Sequence, residues 1–355
     1  MKRLFATILL VCLVFGHSVA QGRVYVVDCN GAGDFETIQA CFDALPSKSA
    51  EWRTVQIRPG VYREKLTLDV YKDKVAIVGM GETPESVRVV WNDYSGKVVD
   101  GYEMTTYDCY TFSVQADDVF LQNLTIANDA GRVGQAVALE TRGDRIWIDR
   151  CRLEGDQDTF FPKNYVARIW VTHSYIEGTT DFIFGPSIVV FDDCHIHAKS
   201  DSFITAASTT ERNKYGYVFR DCRVTTDPQV TKLYLGRPWK STARTVWMRC
   251  ELPASIRPEG WHNWRDPARE KTSFYAEWRC TGTGADRSGR VPWSYELTDD
   301  EAAEYTDAKI FAKKTGSEQF HDDWTPLANE YLRALLDRPD AYGRAEIRAT
   351  QTPIT

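Results

Sequence analysis

The chain has 355 residues, 43% of them hydrophobic, and a formal net charge of −7 at neutral pH. That length allows one long domain or two ordinary ones. The acidic balance argues against nucleic acid or an anionic membrane surface as a partner.

The first twenty residues have the features of a cleaved secretory signal peptide. Lys2 and Arg3 precede an apolar run over residues 4–15, and small residues lead up to Ala20. The run is too short to span a bilayer stably. We therefore expect residues 21–355 to form a single catalytic domain that is secreted or periplasmic, monomeric and not inserted in a membrane.

Strand patterns begin directly after this segment. Val24–Val27 predicts a strand, and Asp34 is placed to cap a helix whose apolar residues recur at helical spacing through Leu45. We interpret this helix as an end cap. Further strand patterns follow at residues 55–68 and 75–81.

From residue 119 onward, six octets repeat one pattern, with starts 20 to 28 residues apart. Positions 1 and 3 and then 6 and 8 are mostly apolar, and this change of parity predicts a corner between two short inward-facing strands. The octets are VFLQNLTI (119), IWIDRCRL (146), IWVTHSYI (169), VVFDDCHI (189), YVFRDCRV (217) and TVWMRCEL (245).

Such stacking predicts an all-β fold, a right-handed parallel β-helix (solenoid), because parallel crossovers are almost always right-handed. We expect its core over about residues 24–313, with short capping helices at both ends. Helical patterns at residues 298–312 and 326–336 are expected to cover the end or a side of the stack. Residues 314–355 would form a C-terminal helical extension.

Position 6 of the octets predicts an interior ladder rich in cysteine. Stacked parallel side chains have Cβ vectors that do not converge as a disulfide requires, so we favour free buried thiols. His195 and His197 should point outward, as solvated surface rather than a metal pair. The ladder consists of Leu124, Cys151, Ser174, Cys194, Cys222 and Cys250.

Two consecutive octets are each followed by a similar segment that ends in an aspartate, Asp158 in LEGDQD and Asp181 in IEGTTD. On successive coils these carboxylates would lie about one strand spacing apart, ~4.8 Å. At an effective dielectric of ~20 their repulsion is then about 3 kcal/mol, roughly two pKa units. One should stay protonated while the other is ionised, which provides an acid and a nucleophile.

Amide and guanidinium groups are expected beside this pair. Gln157 adjoins Asp158, and Gln135 lies about one coil upstream, so both amides can donate to an oxyanion. Arg237 is a candidate partner for one aspartate, whose pKa it would lower, and Trp239 offers a flat face to a sugar ring. The alternatives are a turn cap for Gln135, a surface ion pair for Arg237 and a core position for Trp239.

The chain contains no G-x-S-x-G, H-E-x-x-H or P-loop motif, which leaves the carboxylate site. Seven motifs follow one another instead: GxYxE (60–64), QAVAL (135–139), GDQDTF (155–160), GTTDFIFG (178–185), ITA (204–206), YLGRPW (234–239) and IRPEGW (256–261). In this order they resemble the pectin methylesterase (pectinesterase) family, carbohydrate esterases with a right-handed parallel β-helix. The similarity covers about residues 24–313.

The resemblance implies a role for each candidate catalytic residue. Asp181 would be the nucleophile and Asp158 the acid and then the base. Gln157 and Gln135 would stabilise the oxyanion, and Arg237 would hold Asp181.

The resemblance also implies a substrate groove, with Trp261 as a further candidate wall residue. One departure from the family is Asp156, a third carboxylate that we expect to raise the pKa of Asp158. The substrate-binding residues would be Thr106, Gln135, Arg237, Trp239, Phe161 and Phe184.

The implied reaction is hydrolysis of the C6 methyl esters of polygalacturonate to demethylated pectin and methanol, with no metal and no organic cofactor. Methyl-esterified pectin (homogalacturonan) would be the binding partner. Because enzyme and product are both acidic, we expect free acids in the substrate to be disfavoured. The alternatives are a pectate lyase or polygalacturonase-type β-helix enzyme and a non-catalytic glycan-binding β-helix protein of the envelope.

Overall fold

The computed structural model describes residues 22–312, 322 and 324–336. The predicted signal peptide and most of the C-terminal extension lie outside these residues. Within them, no helix is long and apolar enough to cross a membrane.

Three sheets of parallel strands wind into a parallel β-helix, and successive coils add neighbouring strands to each sheet. We call the eleven-stranded one the long sheet. Its strands are Val24–Val27, Arg53–Ile57, Val75–Gly79, Val119–Gln122, Ile146–Asp149, Arg168–Thr172, Ile188–Asp192, Tyr217–Arg220, Arg244–Met248, Phe274–Trp278 and Tyr295–Glu296.

The other two parallel sheets have seven strands each. The second sheet consists of Gly60–Tyr62, Val87–Trp91, Thr125–Asn128, Arg152–Glu154, Tyr175–Gly178, His195–Ala198 and Arg223–Thr226. The third sheet consists of Leu66–Leu68, Tyr110–Val114, Val137–Thr141, Phe160–Pro162, Ile183–Gly185, Phe203–Ala207 and Tyr234–Pro238. An antiparallel hairpin, Val98–Val99 with Tyr102–Glu103, projects from the stack.

Helices are few and short. The α-helices are Ile38–Ala44, Asp299–Ala302, Asp307–Ile310 and Glu330–Leu336, and the 3-10 helices are Pro84–Ser86, Pro267–Lys271, Thr283–Ala285 and Pro326–Ala328.

The six octets stack in register, with their first residues paired from Val119 to Thr245. A seventh octet, which the sequence analysis missed, begins at Tyr275 and pairs with Thr245. Its sixth residue, Cys280, extends the interior ladder.

The predicted corner between the long and second sheets is made by a left-handed residue at position 5 of each of the six predicted octets. A single residue in this conformation turns the chain and switches which side of the strand faces inward. These residues have φ between 49° and 58°: Asn123, Arg150, His173, Asp193, Asp221 and Arg249.

The cysteine ladder lies inside the stack, and the eight cysteines of the described residues are all free. The thiols of Cys194, Cys222 and Cys250 each donate to the carbonyl two residues earlier, at 3.3 Å. The prediction of buried free thiols is confirmed. His195 and His197 point outward as predicted and share Thr225 Oγ1 as a partner.

The N-terminal helix packs at the start of the stack but is not capped by Asp34, so that expectation is wrong. Asp34 accepts from the Val26 amide instead. Thr37 is the N-cap, and the Glu64 carboxylate accepts from the amides of Ile38 and Gln39 at 2.9 and 3.0 Å. Glu64 thus satisfies helix N–H groups that have no partner within the helix.

The C-terminal helices lie along a side of the stack, which is one of the two positions expected for them. Ile310, Phe311 and Leu332 are buried against the apolar outer face of the long sheet. The outer surface of a sheet that carries tryptophans needs such a cover, because exposed apolar area is costly.

Candidate active site

A cleft of about 240 Å³ opens on the outer face of the third sheet. It follows the stack across successive coils, from the coil of Gln135 to that of Arg237. Its walls are formed by Thr106, Tyr107, Gln135, Gln157, Asp158, Phe161, Asp181, Phe184, Ala206, Arg237, Trp239 and Trp264.

The two predicted aspartates occupy equivalent positions on neighbouring coils. Phe160 pairs with Ile183, which aligns Asp158 with Asp181 two residues earlier, and the Asp158 amide donates to the Thr180 carbonyl at 3.1 Å. Both aspartates are in the left-handed region, with φ of 68° and 50°. Aspartate tolerates that conformation better than most residues. Each is only 6% exposed although it lines the cleft.

Arg237 holds Asp181 in a bidentate pair. Its Nε and Nη2 donate to Oδ1 and Oδ2 of Asp181 at 2.9 and 2.6 Å. The guanidinium lies between the rings of Phe203 and Trp264, 3.9 Å from each centroid. This sandwich fixes the plane of the guanidinium and therefore the orientation of the carboxylate. The predicted pairing is confirmed, and Arg237 is not a surface ion pair.

Arg237 reaches Asp181 across the intervening strand Phe203–Ala207, with which its own strand is paired. Close contact between these strands depends on Gly236, because a Cβ there would lie 2.0 Å from Thr205 Oγ1. Ala206, directly opposite Arg237, leaves room for the side chain to extend over it.

Burial raises the pKa of both aspartates, but unequally. The pKa of Asp158 lies well above its ordinary value, first because of desolvation and then because of the Asp181 charge. The pKa of Asp181 is also raised by desolvation, although the hydrogen bonds and charge of Arg237 act against this. As expected, the interaction with Arg237 by itself lowers the pKa of Asp181. Desolvation raises this pKa by more, so the expectation of a lowered pKa is wrong for the net shift. Asp158 therefore keeps its proton more readily, and Asp181 ionises more readily.

Asp156 does not supply the additional charge that the sequence suggested. Its carboxylate lies 3.1 Å from Lys199 Nζ and 3.8 Å from Arg132 Nε. The carboxylate that raises the pKa of Asp158 is Asp181.

Gln135 and Gln157 lie side by side on adjacent coils, joined by a parallel bridge. Their backbones are engaged, since the Ala136 amide donates to the Gln157 carbonyl at 3.0 Å. Among the described residues, neither side-chain amide has a hydrogen-bond partner. Both are half-buried at the cleft. Two amide groups are thus available to donate to a bound oxygen.

Comparison with known proteins shows which family the chain resembles. The pectinesterase family model matches residues 24–314. Pectinesterase 31 of Arabidopsis thaliana is 35% identical over 294 residues, which cover 81% of this chain and 92% of the relative.

This chain belongs to the pectinesterase family.

Two solved structures extend the comparison. Pectin methylesterase from carrot has 30% identity and a TM-score of 0.76, covering 81% of this chain and 93% of its own. Pectin methylesterase PemA from Erwinia chrysanthemi has 26% identity and a TM-score of 0.72, covering 86% and 98%. The expectations of a right-handed parallel β-helix and of a carboxylic ester hydrolase are confirmed. Family membership favours the esterase over the lyase, polygalacturonase and non-catalytic alternatives.

Aromatic rings form the base of the pectinesterase cleft. Phe161 and Phe184 stack with centroids 4.2 Å apart, and Trp239 lies 6.4 and 6.0 Å from them. Phe161 and Phe184 are almost fully buried, so they support the cleft floor, whereas Trp239 is half-buried on the wall. Thr106 lines the cleft as expected.

Trp261 is not a cleft residue, and that expectation is wrong. It is 1% exposed and stacks on Tyr275 inside the stack, with ring centroids 4.5 Å apart. The sequence analysis missed two aromatic wall residues, Tyr107 and Trp264. Tyr107 follows Thr106 directly, so proximity in sequence was an available indication. For Trp264 there was none, because its contact with Arg237 depends on a left-handed backbone, φ 61°.

Proposed function

We propose that this protein hydrolyses the C6 methyl esters of homogalacturonan, with Asp181 as nucleophile and Asp158 as acid and base. The observation that carries this proposal is the asymmetry of the aspartate pair. Asp181 is oriented by the sandwiched Arg237, while Asp158 has no such ion pair and has the more strongly raised pKa. A similar pectin methylesterase structure, 26% identical with a TM-score of 0.73, contains a bound hexasaccharide, which supports an oligosaccharide substrate.

In the first step, one Asp181 oxygen forms a bond to the ester carbonyl carbon, and the carbonyl oxygen becomes an oxyanion. The side-chain amides of Gln135 and Gln157 donate hydrogen bonds to it. These donors carry no charge, so they stabilise the oxyanion without exchanging protons with the aspartates. The C–OCH₃ bond then breaks as Asp158 transfers its proton to the departing methoxide oxygen. Methanol leaves, and an acyl–Asp181 anhydride remains.

In the second step, Asp158 is a carboxylate and takes a proton from water. The resulting hydroxide attacks the acyl carbon, and the bond to Asp181 breaks. The free galacturonate acid is released, Asp181 recovers its charge beside Arg237, and Asp158 is again protonated. The raised pKa of Asp158 suits both halves of this cycle, because proton transfer is most efficient with a group whose pKa lies nearer the working pH.

The aromatic walls suit a sugar polymer. Trp239, Trp264 and Tyr107 present ring faces or edges along the cleft, and Thr106 adds a hydroxyl. Such surfaces bind the apolar faces of sugars while a few polar groups fix orientation. Phe161 and Phe184 would hold Trp239 in place from below.

Export belongs to the same proposal and is supported by the signal-peptide features of residues 1–20. We also propose that the mature protein is a monomer. N-terminal sequencing of the mature protein should give Gln21 first, and sedimentation should give the mass of one chain.

The decisive experiment measures methanol release from highly methylated pectin by wild type, Asp181→Asn, Asp158→Asn and the control Asp156→Asn. We expect Asp181→Asn to lose at least ~10³-fold in kcat and Asp158→Asn ~10²–10⁴-fold, since each removes a reacting group. Asp156→Asn should stay within a few-fold of wild type, because it removes the same charge beside the site without touching the reacting atoms. Methanol release by Asp181→Asn within tenfold of wild type would exclude Asp181 as the nucleophile.

A further inference from the structure

His262 contacts both of the aromatic residues that sandwich Arg237. Its ring centroid lies 5.3 Å from that of Phe203, which covers one face of the guanidinium. Its Nδ1 accepts a hydrogen bond at 3.0 Å from the backbone amide of Trp264, which covers the other face. One half-buried imidazole therefore joins the two walls of the sandwich.

The loop that carries Trp264 depends on side-chain acceptors. Trp264 and Arg265 are both in the left-handed region, with φ of 61° and 60°, which is unfavourable for such residues. Each of their amides is held by the side chain two residues earlier. His262 Nδ1 accepts from Trp264, and Asn263 Oδ1 accepts from the next amide at 2.9 Å. The loop starts from a fixed point, because the His262 amide donates to the Gly236 carbonyl at 3.2 Å.

The hydrogen bond from Trp264 sets the protonation state of His262. A backbone amide can only donate, so Nδ1 carries no proton and the ring is neutral, with its proton on Nε2. The pKa of His262 lies below its ordinary value, first because of desolvation and then because of the charges of Arg237, Arg265 and Arg257. Both effects favour the neutral ring that the hydrogen bond requires.

The other groups around His262 do not oppose this state. The ring packs against those of Phe203 and Tyr234, with centroids 5.3 and 5.4 Å away. The nearby carboxylates each have another partner: Asp181 has Arg237, Glu259 has Arg257, Asp266 has Arg269 and Glu270 has Asn263.

We propose that His262 is a positioning residue for the nucleophile and that its protonation slows turnover. The proposal rests on the proposed function, in which Asp181 is the nucleophile, and adds a control of that site by pH. A protonated ring carries an N–H at Nδ1, so two donors face each other and the hydrogen bond from Trp264 is lost. Without a fixed Trp264, one face of Arg237 is uncovered and the Asp181 carboxylate is less well oriented.

The direction of the pH effect follows from the lowered pKa. His262 is neutral at pH 7 and becomes protonated as pH falls below about 6.5, the ordinary value for histidine. Protonation of Asp181 also stops turnover in acid, so the contribution of His262 has to be separated from that of the nucleophile.

Two substitutions separate the acceptor from the ring. In His262→Asn, an amide oxygen replaces Nδ1 as acceptor and cannot titrate, and Asn263 already plays this part for the next amide. In His262→Phe, a ring stays against Phe203 but no acceptor remains. The control is His195→Asn, because the pKa of His195 is also lowered by burial but this residue lies on the second sheet, away from the cleft.

The experiment measures kcat for methanol release from highly methylated pectin between about pH 4 and pH 7.5. At the upper end we expect His262→Asn to be within threefold of wild type and His262→Phe to be about tenfold slower, the scale of one hydrogen bond. Toward pH 4, wild type should become about tenfold slower than His262→Asn. Protonation of Asp181 is common to both proteins and cancels in this ratio. His262→Phe should stay about tenfold below His262→Asn throughout.

A ratio of His262→Asn to wild type that does not change with pH would overturn the proposal. The same holds if His195→Asn shows an equal change, or if His262→Phe is as active as His262→Asn. Thermal unfolding at each pH restricts the comparison to folded protein. A measurement on wild type needs no variant to fold: ¹⁵N NMR near pH 7.5 should show His262 as the Nε2–H tautomer, and the Nδ1–H tautomer would also overturn the proposal. Failure of wild type to release methanol would instead contradict the proposed function and would leave the tautomer result unaffected.

Discussion

At the scale of single residues, the active site takes two identical side chains and gives them different environments. Asp158 and Asp181 have the same burial, the same left-handed backbone and equivalent positions on neighbouring coils. Only Asp181 receives the two Arg237 hydrogen bonds. The stacking repeat thus makes a symmetric pair, and one arginine makes it asymmetric.

The raised pKa of Asp158 predicts a cost in stability that depends on pH. The folded chain keeps the Asp158 proton at pH values where the unfolded chain, with a pKa of about 3.9, has lost it. Stability therefore falls as pH rises from about 4 toward the folded pKa. Since Asn cannot ionise, Asp158→Asn should have a higher Tm than wild type at pH 7, and the two should converge near pH 3.

Calorimetric melts across this pH range measure the effect. Asp156→Asn is the control, because it loses the Lys199 ion pair and should not gain Tm. A Tm difference between Asp158→Asn and wild type that is absent at pH 7, or that grows toward low pH, would contradict the linkage.

At the scale of elements, the repeated octets made the coils of the β-helix predictable. The side chains that face inward are apolar, so their spacing within each octet and the repeat of the octets along the chain are visible in the sequence. Pairing of Arg237 with Asp181 was expected from the resemblance of the YLGRPW motif to the pectinesterase family, whereas the residues alone left a surface ion pair open. The sequence did not indicate the left-handed corners, because Arg150, His173 and Arg249 are not typical of that conformation.

Contacts between segments far apart in the sequence could not be predicted either. Glu64 caps a helix that begins 26 residues before it, and Lys163 joins Glu140 from the next coil. Trp264 reaches Arg237 from an irregular loop. Such contacts depend on loop geometry, for which a hydrophobic pattern carries no information.

The left-handed corner conformation predicts an unusual order of stability among variants at Asp193, which is exposed and has φ 49°. A β-branched residue is strained there, whereas glycine adopts this conformation freely. We expect Asp193→Val to be less stable than Asp193→Gly by about 1–2 kcal/mol, as measured by denaturant unfolding. The control is Arg223→Val, in an exposed strand position, which should cost little. Equal stability of the Val and Gly variants would mean that the corner can relax.

At the scale of the whole molecule, the β-helix leaves one flank apolar and the chain itself covers it. Trp147 and Trp170 stack on the outer face of the long sheet, with centroids 5.0 Å apart. The buried Arg168 donates to Asp144, to the Phe311 carbonyl at 2.7 Å and to Asp322 at 2.8 Å, and so ties the C-terminal segment to this flank. The cleft lies on a different sheet, so the cover serves stability and not catalysis.

This separation predicts that the C-terminal helix can be loosened without loss of turnover. Leu332 is buried against the long sheet, whereas Leu335 on the same helix is only partly buried. Leu332→Ala should cost about 2–5 kcal/mol, the usual range for a buried leucine, and should speed proteolysis near the C-terminus. Leu335→Ala should cost clearly less. In both variants kcat for methanol release should stay within twofold of wild type below their unfolding temperatures. A fall in kcat at unchanged Tm would mean that the C-terminal segment acts on the cleft, against the geometry in which they occupy different sheets.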